Sequence, residues 1–269
     1  MKNYRLRLKK SKRIVVKIGT SCLTDESGKI KLSQIGSFAK IISTLADQNK
    51  EVILVTSGAI GIGTTKLGFK ERPKTIPGKQ AAAAVGQCEL MHIYSKYFSN
   101  YGHVIGQVLL TKDVVENRVA KENVINAFET LIKERVIPIV NENDTVSVDE
   151  IESGEKRVFG DNDTLSAIVA SLIKADLLII LSDVDGFYDS NPKQNPAAKI
   201  ILIIEKITPE MEKFAGGAGT NNGTGGMITK LSATKIANSA GVNMVLANGK
   251  NPKVISDILA GKDIGSLFV

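Results

Sequence analysis

A chain of 269 residues with 43% apolar content can bury a substantial core, as one large α/β domain or two small ones, which excludes disordered and fibrous classes. Its net charge of +7 is confined to the first 13 residues, where Lys2, Arg5, Arg7, Lys9, Lys10, Lys12 and Arg13 meet no acid. The remainder is neutral, without Trp and only 5% aromatic, which argues against a nucleic-acid-binding face outside that tail.

The basic stretch 1–13 has the charge of an export n-region, but the following IVV is cut off by Lys17 before an apolar h-region develops. A solvated leader or an added edge strand is the expectation for it. No apolar run approaches the roughly 18–20 residues that span a bilayer. Cys22 and Cys88 lack the spacing of a zinc site or a disulfide framework. A soluble protein of the reducing cytoplasm is therefore expected.

RIVVKIG (13–19) predicts a strand, Ser33 an N-cap for a helix to about Gln48, and EVILVTSG (51–58) a buried strand. An Ala-rich helix over about 80–98, the strand VIGQVLLT (104–111), a helix over about 117–134 and the strand VIPIVNEND (136–144) follow. TVSVDEIESGEKRVFG (145–160) breaks the rhythm: two short alternating runs around Ser153-Gly154 predict a β-hairpin over an edge. A helix over about 162–174, the strand DLLIILSDV (176–184), an Asn/Pro-rich excursion, a glycine segment opening a helix to about Ser239, VNMVLANG, a short helix and SLFV complete the chain. About eight strands alternating with helices predict one mainly parallel open sheet sandwiched between helices, a single domain over 14–269.

In such sheets ligands bind beyond the carboxyl ends of the strands, and those ends are chemically rich here. They carry Lys17-Ile18-Gly19-Thr20-Ser21, Thr56-Ser57-Gly58-Ala59, Asn141-Glu142-Asn143-Asp144 and Ser182-Asp183. GAIGIG (58–63) is not the GxGxxG dinucleotide fingerprint, and no GxxxxGK[ST] occurs, so neither standard mononucleotide loop is present. GTGGMITK (223–230) still has the ingredients of an anion cradle: glycines that admit a close backbone, a helix start, and Lys230 about one turn in. A surface loop with a solvated lysine is the alternative. Lys17 suits either an anion or a snorkelling strand end. Asp161, Asn162 and Asp163 exceed what capping of one helix needs.

KIGTSCLT, VTSGAIGIG, VGQ (85–87), GQVLLT, VNENDTV, GDNDTLSA, SDVDGFY followed by NP, and GTGGMITKLSAT occur in this order over nearly the whole chain. In this combination the sequence resembles the glutamate 5-kinase branch of the amino acid kinase family. The resemblance implies that fold, and ATP-dependent phosphorylation of the L-glutamate side-chain carboxylate to glutamyl 5-phosphate, the first step of proline biosynthesis. Acetylglutamate, carbamate and aspartate kinases are the alternatives within the fold, and VNEND with GDND argues against them. Many members carry a C-terminal PUA domain, and the sequence, ending at Val269, matches the form without it.

The family places Lys17 and Lys230 as the charge-stabilising pair and Asp163 as their organiser. Ser57, Gly58, Asn141, Asp144 and Asn162 fall at its glutamate positions. Lys17, Gly19, Ser182, Asp183 and the run Thr224, Gly225, Gly226, Met227, Ile228, Thr229 and Lys230 fall on its nucleotide side. ATP is the implied donor, with Mg²⁺ bridging its phosphates and no protein residue assigned as a metal ligand. Inhibition by proline at the glutamate pocket, handover of the labile product to the next pathway enzyme and a homo-oligomer are implied in the same way; a membrane or nucleic-acid partner is not.

Overall fold

The computed structural model describes residues 4–25, 29–111, 113–147, 162–192, 194–215 and 226–269. In chain order its elements are α1 (Tyr4–Arg7), running into a 3-10 turn (Leu8–Lys10), β1 (Arg13–Ile18), α2 (Thr20–Leu23), α3 (Leu32–Asp47), β2 (Glu51–Val55), α4 (Ala59–Lys66) and α5 (Ile76–Ser99). There follow β3 (Ile105–Leu110), α6 (Asp113–Glu116), α7 (Arg118–Lys133), β4 (Ile137–Glu142), α8 (Asn162–Leu172) and β5 (Leu177–Ser182). The last part comprises β6 (Ile203–Ile204), α9 (Pro209–Ala215), α10 (Met227–Ser239), β7 (Asn243–Asn248), α11 (Val254–Leu259) and β8 (Ser266–Phe268).

The strands form one eight-stranded sheet in the order β3-β4-β2-β1-β5-β7-β8-β6, parallel except for the antiparallel β7–β8 pair. Side chains alternate across it: Ile14, Val16 and Ile18 of β1 join one apolar cluster with α3 and α5, while Val15 joins the other with α8 and α10. Every residue of β5 is buried, as a strand covered on both faces requires. Each of its aliphatic side chains contributes about 1.5–3 kcal/mol of burial. Because β4, β2, β1 and β5 are consecutive neighbours, their carboxyl ends adjoin along one edge.

The predicted mainly parallel sheet between helices is what forms, with local differences. Helix α3 begins at Leu32 with Lys31 at the capping position, and Ser33 lies inside the first turn. The start is set by the main chain, since Lys31 N donates to Leu23 O at 2.8 Å. Helix α5 begins at Ile76, earlier than expected, because the Thr75 side chain accepts from Gly78 N and a proline occupies its first turn. GAIGIG, for which no helix was expected, supplies the first part of α4. The two-residue β6 inside the Asn/Pro-rich excursion was not expected; it pairs with β8. The hairpin expected over 145–160 falls largely on residues outside those described, and 145–146 form a turn.

The basic amino-terminal stretch is neither a solvated leader nor an edge strand over residues 4–10. Leu8 is 1% exposed, and Arg5, at 3%, donates to the carbonyls of Leu202, Ile264 and Gly265 at 2.6–2.8 Å. A guanidinium's several donors suit a cluster of carbonyls, which explains how a charge run comes to dock.

Helices α4 and α5 touch backbone to backbone. A Cβ on Gly63 would lie 1.7 Å from Ala82 O, and one on Gly86 would lie 1.8 Å from Ala59 O. This close approach seats α5 so that Gln87 and Tyr94, two turns apart on one face, reach the carboxyl ends of β4 and β2.

Candidate active site

Lys17 leaves β1 at the centre of the sheet, flanked in register by Val55 of β2 and Ile180 of β5. Its Nζ lies 2.6 Å from Asp163 Oδ1. Lys230, in the first turn of α10, reaches the other oxygen, with Nζ 3.0 Å from Asp163 Oδ2, and Thr229 Oγ1 donates to that oxygen at 3.3 Å. Two cations from distant parts of the chain thus converge on one carboxylate in the first turn of α8. All three side chains are withdrawn from water: Asp163 is 0% exposed, Lys230 5% and Lys17 7%.

Burial by itself would push the Asp163 carboxyl up; the Lys17 and Lys230 ammoniums outweigh it and hold the group below the usual carboxylate range. The carboxylate is therefore held in its ionised form between the two ammoniums. Nearby Cys22 is also buried, and burial pushes its thiol up despite Lys17.

Gly19 stands two residues beyond Lys17. Its amide donates to Leu181 O at 3.0 Å, and a Cβ would stand 3.0 Å from that same oxygen, so glycine here admits the close approach of β5, its N–H being used by the sheet. Gly58, at the capping position of α4, has φ +96°, a conformation in which any side chain is strained. Ser57 Oγ is held by Thr20 Oγ1 at 3.0 Å and donates to Ile18 O at 3.2 Å. Thr56 Oγ1 lies 2.9 Å from Tyr94 OH.

A second polar group adjoins the lysine pair. Asn162, next to Asp163, donates through Nδ2 to Thr56 O at 2.8 Å and to Asn141 Oδ1 at 3.2 Å, and Asn141 Nδ2 donates to Gln87 Oε1 at 2.9 Å. Asp144 sits half-buried in the turn after β4. At the end of β5, Ser182 Oγ donates to Asp183 Oδ1 at 2.9 Å, and Asn248 at the end of β7 donates to Asp185 Oδ1 at 2.7 Å.

Lys17, Asp163, Thr229 and Lys230 therefore make one cluster, and Asn162, Asn141 and Gln87 a hydrogen-bonded series beside it, while Ser57, next to Thr56, is bonded instead to Thr20 and Ile18. Met227 begins α10 after Gly226, and Ile228 faces outward, half exposed, while Thr229 and Lys230 turn in. Thr224 and Gly225 lie outside the described residues. Sequence reasoning missed the parts of Thr20, Thr56 and Gln87; the first two stand within strand-end motifs it had singled out, whereas Gln87 had only the VGQ run to mark it. Among the described residues, no group of three or more His, Cys, Asp or Glu could hold a metal, and no helix is long and apolar enough to cross a membrane.

Comparison with known proteins identifies the family. The model of the amino acid kinase family matches residues 12–248. A glutamate 5-kinase of Clostridium perfringens is 58% identical over 97% of both chains, one of Listeria monocytogenes is 56% identical over 97% of this chain and 94% of its own, and one of Enterococcus faecalis is 51% identical over 98% and 97%. Among solved structures, carbamate kinase from Giardia lamblia bound to AMP-PNP superposes with a TM-score of 0.65 at 15% identity, covering 97% of this chain and 99% of its own. UMP kinase from Bacillus anthracis gives 0.63 at 15% identity and 96% coverage of both. At those identities the likeness concerns the fold.

Proposed function

Since the chain belongs to the amino acid kinase family, we propose that it transfers the γ-phosphoryl group of ATP to the side-chain carboxylate of L-glutamate, giving L-glutamyl 5-phosphate for proline biosynthesis. The observation that carries the reading is the convergence of Lys17 and Lys230 on Asp163 at the carboxyl edge of the sheet, beside the starts of α8 and α10. The high identity to glutamate 5-kinases favours glutamate over acetylglutamate, carbamate or aspartate.

A glutamate side chain, with a reference pKa of about 4.3, is already ionised at neutral pH, so no general base is needed. A carboxylate oxygen attacks the γ-phosphorus, the new P–O bond forms as the bond to the β–γ bridging oxygen breaks, and ADP leaves with that electron pair. The protein's task is to align two anions and absorb charge on the transferring oxygens. The ammoniums of Lys17 and Lys230 do this, with Asp163 fixing their separation. The N-terminal ends of α8 and α10 add partial positive charge. Mg²⁺ would arrive with ATP and supply neutralising charge on its phosphates, with no residue of this chain assigned to hold it.

Ser57, Gly58, Asn141, Asp144 and Asn162 hold glutamate, with Asp144 pairing with the free α-ammonium. Gly19, Ser182, Asp183 and 224–230 line the nucleotide side. Proline competing at the glutamate pocket, handover of the labile acyl phosphate, assembly as a homo-oligomer and a cytoplasmic location belong to the same reading. Glutamyl hydroxamate trapped from glutamate, MgATP and hydroxylamine, in larger amount than from N-acetylglutamate, aspartate or carbamate, tests it; equal or greater yield from another acceptor would overturn it.

A further inference from the structure

The side-chain amide of Asn162 is oriented by a backbone carbonyl. Its Nδ2 faces Thr56 O at 2.8 Å, and a carbonyl can only accept, so the Asn162 amide has one admissible orientation. The orientation propagates. Asn162 Nδ2 also donates to Asn141 Oδ1, so Asn141 turns its own Nδ2 to Gln87, whose Oε1 accepts it. The series ends at Gln87 Nε2, a fully buried donor with no hydrogen-bond partner among the described residues, on a side chain only 8% exposed. Buried donors in native proteins are nearly always paired, and exceptions of this kind concentrate at functional sites.

What the series leaves available decides its use. Asn162 has committed both Nδ2 hydrogens, so it offers a ligand only Oδ1, an acceptor. Asn141 keeps one Nδ2 hydrogen, a donor. An acceptor suits an ammonium, and a donor beside it suits a carboxylate. Backbone contact between Gly86 and Ala59 fixes the height of α5, and with it the Gln87 amide.

We infer that Gln87 is a positioning residue for the amino-acid substrate: by accepting from Asn141 it clamps the far end of the amide series that presents an acceptor at Asn162 and a donor at Asn141 to a free α-amino acid. This rests on the assignment of Asn141 and Asn162 to the glutamate pocket.

Gln87→Leu removes the acceptor at similar volume. The expected result is a rise of tenfold or more in KM for glutamate, with KM for ATP within twofold of the native value and the thermal midpoint little changed. Gln87→Glu, which keeps an oxygen facing Asn141, recovers most of the affinity. An unchanged glutamate KM in Gln87→Leu, or a parallel rise for both substrates, overturns the inference. A second readout needs no turnover: in ¹H–¹⁵N spectra of the full chain, Gln87→Leu shifts the side-chain NH₂ resonances of Asn141 and Asn162, and unmoved resonances overturn the inference. Should the native protein make no acyl phosphate from glutamate, the reading of the pocket falls, and these resonances still decide whether Gln87 holds the two asparagines.

Discussion

Lys17 Nζ lies 2.6 Å from Asp163 Oδ1, joining the end of the central strand to the first turn of α8 inside a region closed to solvent. The same carboxylate holds Lys230 from α10. Asp163 therefore sets the distance between two ammonium groups that would otherwise repel.

If Lys230 stabilises the transferring phosphoryl group as proposed, replacing it by Ala costs on the order of 10² to 10³ in rate. The expected outcome is a fall in kcat of at least that size, measured by steady-state ADP release, in a protein that stays folded. Wild-type turnover in this variant would remove Lys230 from the mechanism.

Asp163→Asn leaves two buried cations without their counter-charge. Breaking a buried pair from one side costs about 3–5 kcal/mol, so a marked fall in the urea midpoint is expected, together with loss of activity. The pH dependence has a definite sign. The folded carboxyl lies below its ordinary range, so its stabilisation is present at neutral pH and is lost as pH falls through the folded value. The stability gap between native protein and variant should be full at pH 7 and close as pH drops below about 4; a gap independent of pH would contradict the ion-pair account.

Asp144→Asn keeps the shape of the side chain and removes its charge. If Asp144 meets the α-ammonium, KM for glutamate rises about tenfold or more while KM for ATP stays within twofold, the pattern of lost ground-state binding. Equal KM for glutamate in the two proteins would reassign the residue.

Gly63→Ala tests the contact that seats α5. The added methyl would fall 1.7 Å from Ala82 O, a backbone atom that moves only with its helix. Overpacking of this kind costs about 1–3 kcal/mol or more, so a lower thermal midpoint is expected with a higher KM for glutamate, because Gln87 and Tyr94 move with α5. Unaltered melting would show that the helices part freely.

Arg5→Ala should separate stability from catalysis. Three hydrogen bonds from a buried guanidinium to the carbonyls of Leu202, Ile264 and Gly265 tie α1 to the β6–β8 edge. Bonds to charged donors contribute roughly 1.5–3 kcal/mol, and a loss of that order is expected in chemical denaturation, with kcat within twofold. A matching loss of kcat would mean that the amino-terminal segment reaches the active site.

The sequence by itself determined the alternation of buried strands and amphipathic helices, because side-chain period is a local property: RIVVKI and LLIILS can bury both faces only as central strands. It also determined which residues stand at strand ends, and hence that Lys17, Ser57, Asn141 and Ser182 share an edge once the sheet is parallel. Tertiary structure alone decided what depends on distance. The order β4-β2-β1-β5 brought those ends side by side, and the packing of α8 on α10 brought Lys230 to the carboxylate that holds Lys17. Arg5 reads as one more cation of a basic tail until the carbonyls near β6 and β8 are in place to receive it. Gln87 reads as an ordinary helix residue until the glycine-lined contact of α4 with α5 sets it beside Asn141. Hydrogen bonds and ion pairs act over a few ångströms, and separation along a chain carries no information about such distances until burial of the two apolar faces has folded it.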